Sequence, residues 1–272
     1  MQTHMRKPRL RRRLALLWLM VWALAAGVVS ANSSLVLPYP PTFGVIPAST
    51  YDADGKLLGD AKLVIERQDE GAVQMRIETS VAGGARSIIQ ANLVEVEEKG
   101  GLRVVRETSR SFDPSGKPLG VLLIDHERGE ASCTPPGGSL DDAQVFTLPI
   151  DDRVTNVPMN LLFLPLVQGK VDKVEFQFFM CRGGPRLMNF VATVSPRNPN
   201  DSPYDIVEVS FGPDLGTAVS WFASPLIPRF SFWFDASSDG NYLAHRIPLY
   251  SKGPEVTIVR KGISPGTLAR NP

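Results

Sequence analysis

The chain has 272 residues, 43% of them hydrophobic and 21% charged, with 23 glycines, 23 prolines and two cysteines. That balance belongs to globular domains and excludes collagen-like, disulfide-dense and wholly disordered chains. Basic residues number 29 and acidic ones 28, but Arg6, Lys7, Arg9, Arg11, Arg12 and Arg13 crowd the N-terminus. The remainder is net acidic, which disfavours a body built to grip nucleic-acid phosphate.

The basic cluster is followed by an apolar run, Leu14 to Val29, and by the small residues Val29-Ser30-Ala31. This order is that of an export signal, and the run is shorter than the roughly 20 residues a helix needs to cross a bilayer. The expectation is a signal peptide over 1–31, removed after Ala31 or kept as an N-terminal anchor, with the protein periplasmic or secreted. No membrane span is expected after signal removal. In an oxidising compartment Cys133 and Cys181 have two readings, a disulfide closing a long loop or two buried thiols.

Residues 32–50 hold Pro38, Pro40, Pro41 and Pro47 and read as an extended lead-in. From Lys56 onward the dominant period is two. In Ala72–Val81, Val73, Met75, Ile77, Thr79 and Val81 face one way, and Gln74, Arg76, Glu78 and Ser80 the other, as in a half-buried strand. Leu57–Arg67, Ser87–Glu98, Leu102–Phe112 and Leu119–Glu127 read similarly, and Gly-, Asp- and Pro-containing turns separate them.

The pattern pauses over Pro135–Asp152, where the domain has a candidate subdivision near 135–155. A short apolar helix is expected near 156–167, ended by Pro165 and buried against the concave face of the sheet. Strands resume at Val171–Cys181, Leu187–Val194, Tyr204–Phe211, Arg229–Asp235, Tyr242–Pro248 and Glu255–Arg260, and 263–272 reads as a flexible tail. The fold class is therefore mainly β. A single domain over 51–262 is expected, a long antiparallel meander curling into an open half-barrel because strand twist accumulates.

The succession of signal, long meander, central apolar helix and the aromatic strand Phe230-Ser231-Phe232-Trp233-Phe234-Asp235 before Asp239-Gly240 resembles exported bacterial families of unknown function. Those families are remotely similar to the periplasmic half-barrel carriers of lipoproteins. The resemblance implies a concave apolar face able to hold an acyl or isoprenoid chain.

Signals for chemistry are few. His126 lies in Asp125-His126-Glu127, where strand alternation points both acids away from the imidazole, so it reads as solvated or structural. His245 is the other histidine past the signal, and no zinc spacing joins either to the cysteines, so no metal or cofactor is expected. Gly262-Ile263-Ser264-Pro265-Gly266 matches a nucleophile elbow only as a string, because Pro265 removes the N–H that an oxyanion hole needs. Asp141-Asp142 and Asp151-Asp152 read as exposed loop carboxylates.

Most aromatic residues fall between positions 155 and 250. They read as packed core or as the lining of an apolar cleft. For the cleft, Phe163, Phe176, Phe178, Trp221, Phe230, Phe232 and Trp233 are the candidate ligand-binding residues. Trp233 and Phe179 fall opposite their apolar neighbours, which implies that both sheet faces are covered there. The functional expectation is a non-enzymatic envelope protein binding a lipid, an amphiphile or an apolar segment of an envelope protein. The alternative is an exported hydrolase or transferase using Asp/Glu and His on envelope polymer; a third reading is an assembly module bound through a free sheet edge.

Overall fold

A computed structural model describes residues 35–149, 153–181, 183–195, 204–214, 230–249 and 253–268. The expected signal over 1–31, its cleavage site and Trp221 lie outside the described residues. Among the described residues fifteen strands form one antiparallel sheet. In chain order they are β1 (Val36–Leu37), β2 (Gly44–Tyr51), β3 (Leu57–Arg67), β4 (Ala72–Val81), β5 (Arg86–Val96), β6 (Gly101–Phe112), β7 (Pro118–Asp125), β8 (Glu130–Thr134), β9 (Gln144–Thr147), β10 (Lys173–Met180), β11 (Arg186–Val194), β12 (Ile206–Pro213), β13 (Phe230–Asp235), β14 (Asn241–Pro248) and β15 (Glu255–Arg260).

Two meanders, β2 to β9 and β10 to β15, join where β15 pairs with β2, and the sheet is not closed into a ring. Within 135–149, β9 returns to pair with β8 and forms one edge of the sheet. The Pro-rich lead-in is also built into the sheet, since β1 pairs with β6 and β2 lies between β15 and β3. Pro47 fits inside β2 because its missing donor faces the place where β15 has ended, and its carbonyl accepts from the Lys261 N–H at 2.9 Å.

Register separates the two faces. Ile65, Met75, Ala91, Glu107, Ile124, Ala131 and Phe146 are successive Cα partners from β3 to β9 and so share one face. As far as Ala91 that face packs on an apolar plug, described below. From Ile124 onward it packs instead against Phe179 and Leu187. Those two are partners on β10 and β11 and lie on the side opposite Phe176 and Phe178, which face the plug. The two ends of the sheet therefore overlap, with β7–β9 lying over the outside of β10–β11. This explains why Phe179, on the otherwise polar outer face of β10, is an apolar residue and fully buried.

The overlap is pinned in three ways. Cys133 and Cys181 form a disulfide across it, Cα to Cα 5.5 Å. Phe146 packs on Phe179 at 5.8 Å between ring centroids. Residues 153–155 run parallel to β10, with the Thr155 N–H donating to the Gln177 carbonyl at 3.0 Å and the Gln177 N–H to that of Arg153 at 2.8 Å.

The plug is two single helical turns, α1 (Met159–Leu162) and α2 (Leu164–Val167), rather than one helix stopped by Pro165. Pro165 sits in the first turn of α2, where no N–H is required, and the chain restarts at Phe163. Every residue of both turns except Pro165 is buried. The turn from β13 to β14 closes against α2 at Gly240. Its φ is +89°, and a Cβ there would stand 2.8 Å from Leu164 Cδ2 and 3.3 Å from Val167 Cγ1, so glycine is needed for both the backbone and the approach.

Asp235 begins that turn. Burial acts to raise its pKa, but hydrogen bonds from Ser237, Ser238 and the Asp205 N–H outweigh this and hold the carboxyl below its ordinary value. On the outer face Trp233 packs with Leu243, Val259, Ile263 and Leu268. Ile263, and Leu268 of a third short helix, α3 (Pro265–Leu268), cover this outward tryptophan.

Candidate functional site at the mouth of the rolled sheet

Antiparallel pairing fixes what lies beyond the plug on the inner face. Moving away from it, residue numbers rise on β4, β10 and β14 and fall on β5, β11 and β13. Met75, Ala91, Phe176, Phe190, Phe232 and His245 are all at most 4% exposed. One inner-face step further are Ile77, Ile89, Phe178, Met188, Phe230 and Ile247, each only partly buried and packed on the same core. Six strands thus carry partly buried apolar side chains one inner-face step from the floor, a ring we call the mouth, while Thr79, Ser87 and Leu249 one step further out are buried. Away from the strand ends, the inner face carries a single charged residue among those described, Glu107.

Glu107 is committed to holding the plug. It is fully buried; its Oε1 lies 2.9 Å from His126 Nε2, and its Oε2 accepts the N–H groups of Asn156 at 2.7 Å and Val157 at 2.6 Å. The Asn156 side chain continues the pairing along β10, donating to the Phe179 carbonyl at 2.7 Å and accepting its N–H at 2.8 Å. One carboxylate therefore joins β6, the end of β7 and the entry to α1. Of the two readings of His126, solvated or structural, the structural one holds: its side chain is 7% exposed, and its partner comes from the neighbouring strand.

Alternation within Asp125–Glu127 could not show this pairing. The available signal was a polar residue at an inward position of β6, obscured by the register shift opposite Asn92/Leu93. Since three donors already occupy both oxygens of Glu107, this pair offers no free carboxylate oxygen for acid–base work on a substrate.

His245 is 1% exposed, stacked on Phe232 at 5.1 Å, and its Nδ1 lies 2.5 Å from the Tyr242 hydroxyl. Burial pushes the imidazole pKa down to about 3 and raises that of the Tyr242 phenol above its usual range, so both stay neutral. Below about pH 6.5 the unfolded chain takes up a proton at this position that the folded chain refuses. The stability present above that pH should fall by about 1.4 kcal/mol for each unit of acidification toward the folded-state value. Urea denaturation across mildly acidic pH, for the native chain beside His245→Gln, should show the shallower slope in the variant.

The aromatic residues singled out from the sequence separate into distinct places. Phe163 is the centre of the plug, with ring centroids 6.1 Å from Phe176, 5.3 Å from Phe211 and 5.5 Å from Phe232. Phe163, Phe176 and Phe232 therefore form the floor, whereas Phe178 and Phe230 lie in the mouth. Trp233 is on the outer face under α3 and cannot line the interior. Sequence reasoning missed Ile77, Ile89, Met188 and Ile247. They sit in ordinary alternating strands and become a group only when the sheet rolls.

Among the described residues no group of three or more His, Cys, Asp or Glu could hold a metal ion. No helix among them is long and apolar enough to cross a membrane.

The chain matches no protein-family model and no curated protein. Among solved structures it is similar to the crystal structure of a β-barrel-like protein of a domain of unknown function, DUF1849, from Brucella abortus. That match covers 82% of this chain and 97% of the other at 10% identity, with a TM-score of 0.35. The architecture stands on the strand register rather than on this likeness.

Proposed function

We propose that this is an exported envelope protein that binds the hydrocarbon part of a lipid-like ligand at the mouth of its rolled sheet, without catalysing a reaction. The observation that carries the reading is the ring of Ile77, Ile89, Phe178, Met188, Phe230 and Ile247. These six side chains pack on a buried floor yet stay partly open to solvent. A contiguous apolar surface of this kind, concave and with few charges, is where an acyl or alkyl chain gains most by leaving water. Export is supported by the basic and apolar N-terminal sequence and by the disulfide, which persists in an oxidising compartment.

The test is binding of the neutral apolar dye N-phenyl-1-naphthylamine, read by its fluorescence. The native chain should enhance the dye's emission, and Met188→Glu should weaken binding about tenfold or more, since ligand binding would then desolvate a carboxylate. Met188 is partly exposed, so its replacement should leave the unfolding midpoint nearly unchanged. Equal binding by both proteins would refute the mouth as the site.

A further inference from the structure

The mouth is not uniformly apolar. Ala48, Ala61, Thr79, Ser87 and Ser111 are successive partners across β2 to β6, all on the inner face and all buried, and the Oγ atoms of Ser87 and Ser111 are 3.4 Å apart. Such a row of small side chains alone signifies only close strand packing. Two further atoms give it a chemical meaning. Thr50 Oγ1 and His245 Nε2, on residues 0% and 1% exposed, have no hydrogen-bond partner.

Both residues are Cα partners of Ile258, so they face the interior from one row. His245 lies one inner-face step below Ile247 of the mouth. The Tyr242 hydroxyl has two acceptors in reach, His245 Nδ1 at 2.5 Å and the Ile258 carbonyl at 3.4 Å. Assigning the hydroxyl hydrogen to the nearer acceptor, the imidazole, places the imidazole's own hydrogen on Nε2, where it is a donor. The Thr50 hydroxyl can donate or accept.

Burying these two atoms unpaired is costly, and a ligand that supplies their partners removes that cost. Charge then selects the ligand class. Among the described residues no cation faces this row to meet an anionic head, and a buried unpaired carboxylate would be strongly disfavoured. We propose that the inner face beneath the mouth recognises an uncharged oxygen of a neutral amphiphile, a hydroxyl or ester carbonyl at the head of a hydrocarbon chain. That oxygen accepts from His245 Nε2–H and pairs with the Thr50 hydroxyl. This rests on the apolar mouth proposed above and adds the chemistry of the head group.

Three probes with the same chain separate the two ideas: glycerol monolaurate, laurate and dodecane, each titrated into the full protein with the His245 imidazole followed by NMR. Glycerol monolaurate should bind about tenfold more tightly than either of the others, the worth of one or two hydrogen bonds, and should move the His245 Nε2–H resonance. Thr50→Val should raise the unfolding temperature of the unliganded protein by a few degrees, because it replaces an unpaired buried hydroxyl with a methyl of the same shape. The same substitution should lower the preference for glycerol monolaurate over dodecane several-fold.

If dodecane binds as tightly as glycerol monolaurate, or if the His245 resonance stays still on binding, the polar site is refuted while the apolar mouth stands. If laurate binds best, the neutral class is wrong. Failure of all three probes to bind removes the mouth and this inference together.

Discussion

Phe163→Ala should lower the stability of the protein by about 3–5 kcal/mol, the range for deleting a fully buried aromatic side chain. Phe163 joins the two helical turns of the plug and touches Phe176, Phe211 and Phe232, which come from three different strands. Those strands are held by their ladders and cannot move inward to fill the space. The cost should therefore fall toward the upper end of that range, and Phe163→Leu should recover more than half of it. Urea denaturation of the three proteins measures the difference. A loss under about 1 kcal/mol for the alanine variant would mean that the plug is not part of the cooperative core.

Glu107→Ala should cost a similar amount, about 3–5 kcal/mol, for a different reason. The substitution leaves the N–H groups of Asn156 and Val157 and the Nε2 of His126 buried with nothing opposite them. Glu107→Gln should be much milder, about 1–2 kcal/mol, because its carbonyl can accept the two backbone donors while its amide faces the imidazole. The pair of variants separates shape and hydrogen bonding from charge. Amide exchange adds a local readout: in Glu107→Ala, Asn156 and Val157 should lose protection before the ladder between β3 and β4 does. Exchange that rises uniformly across the sheet would show that this carboxylate does not act as a local anchor.

Much of this architecture was legible in the residues. Ala72–Val81, Leu57–Arg67 and Glu255–Arg260 have the bounds that strict alternation or flanking turns gave them. The two faces of β10 were readable because Phe176 and Phe178 alternate with Phe179. What escaped were elements whose stability comes from distant partners. β2 contains a proline and β9 has only four residues, so neither carries a strong local signal, and each forms because a longer strand presents a ladder to it. The plug was foreseen as a buried apolar helix, and its division into two turns follows from Pro165, which has no N–H for the Leu161 carbonyl and so stands in the first turn of a new helix. Glu107 was silent for the same reason: its role is set by His126 from the end of the adjacent strand and by the backbone of Asn156 and Val157, residues that only tertiary structure brings near.

The site divides in the same way. Phe178 and Phe230 could be chosen as aromatic and inward-facing, but nothing local distinguishes them from Phe176 and Phe232, which share the pattern and lie one layer deeper. Depth is a property of the rolled sheet, not of the strand. His245 and Thr50 were likewise invisible as a pair, being far apart in the chain and joined only through the Ile258 row.

The seam between β9 and β10 has a consequence for how this design can vary. In a closed barrel, strand number and stagger fix the girth, so changing it means adding or removing hairpins. Here the circumference is set by how far one margin slides over the other, and sliding exchanges one set of greasy contacts for another without breaking a ladder. Cys133–Cys181 fixes that sliding at a single setting, as a buckle fixes a belt. Moving the first cysteine across to its same-face partner on the neighbouring strand, from Cys133 on β8 to Leu122 on β7, would set a different bore.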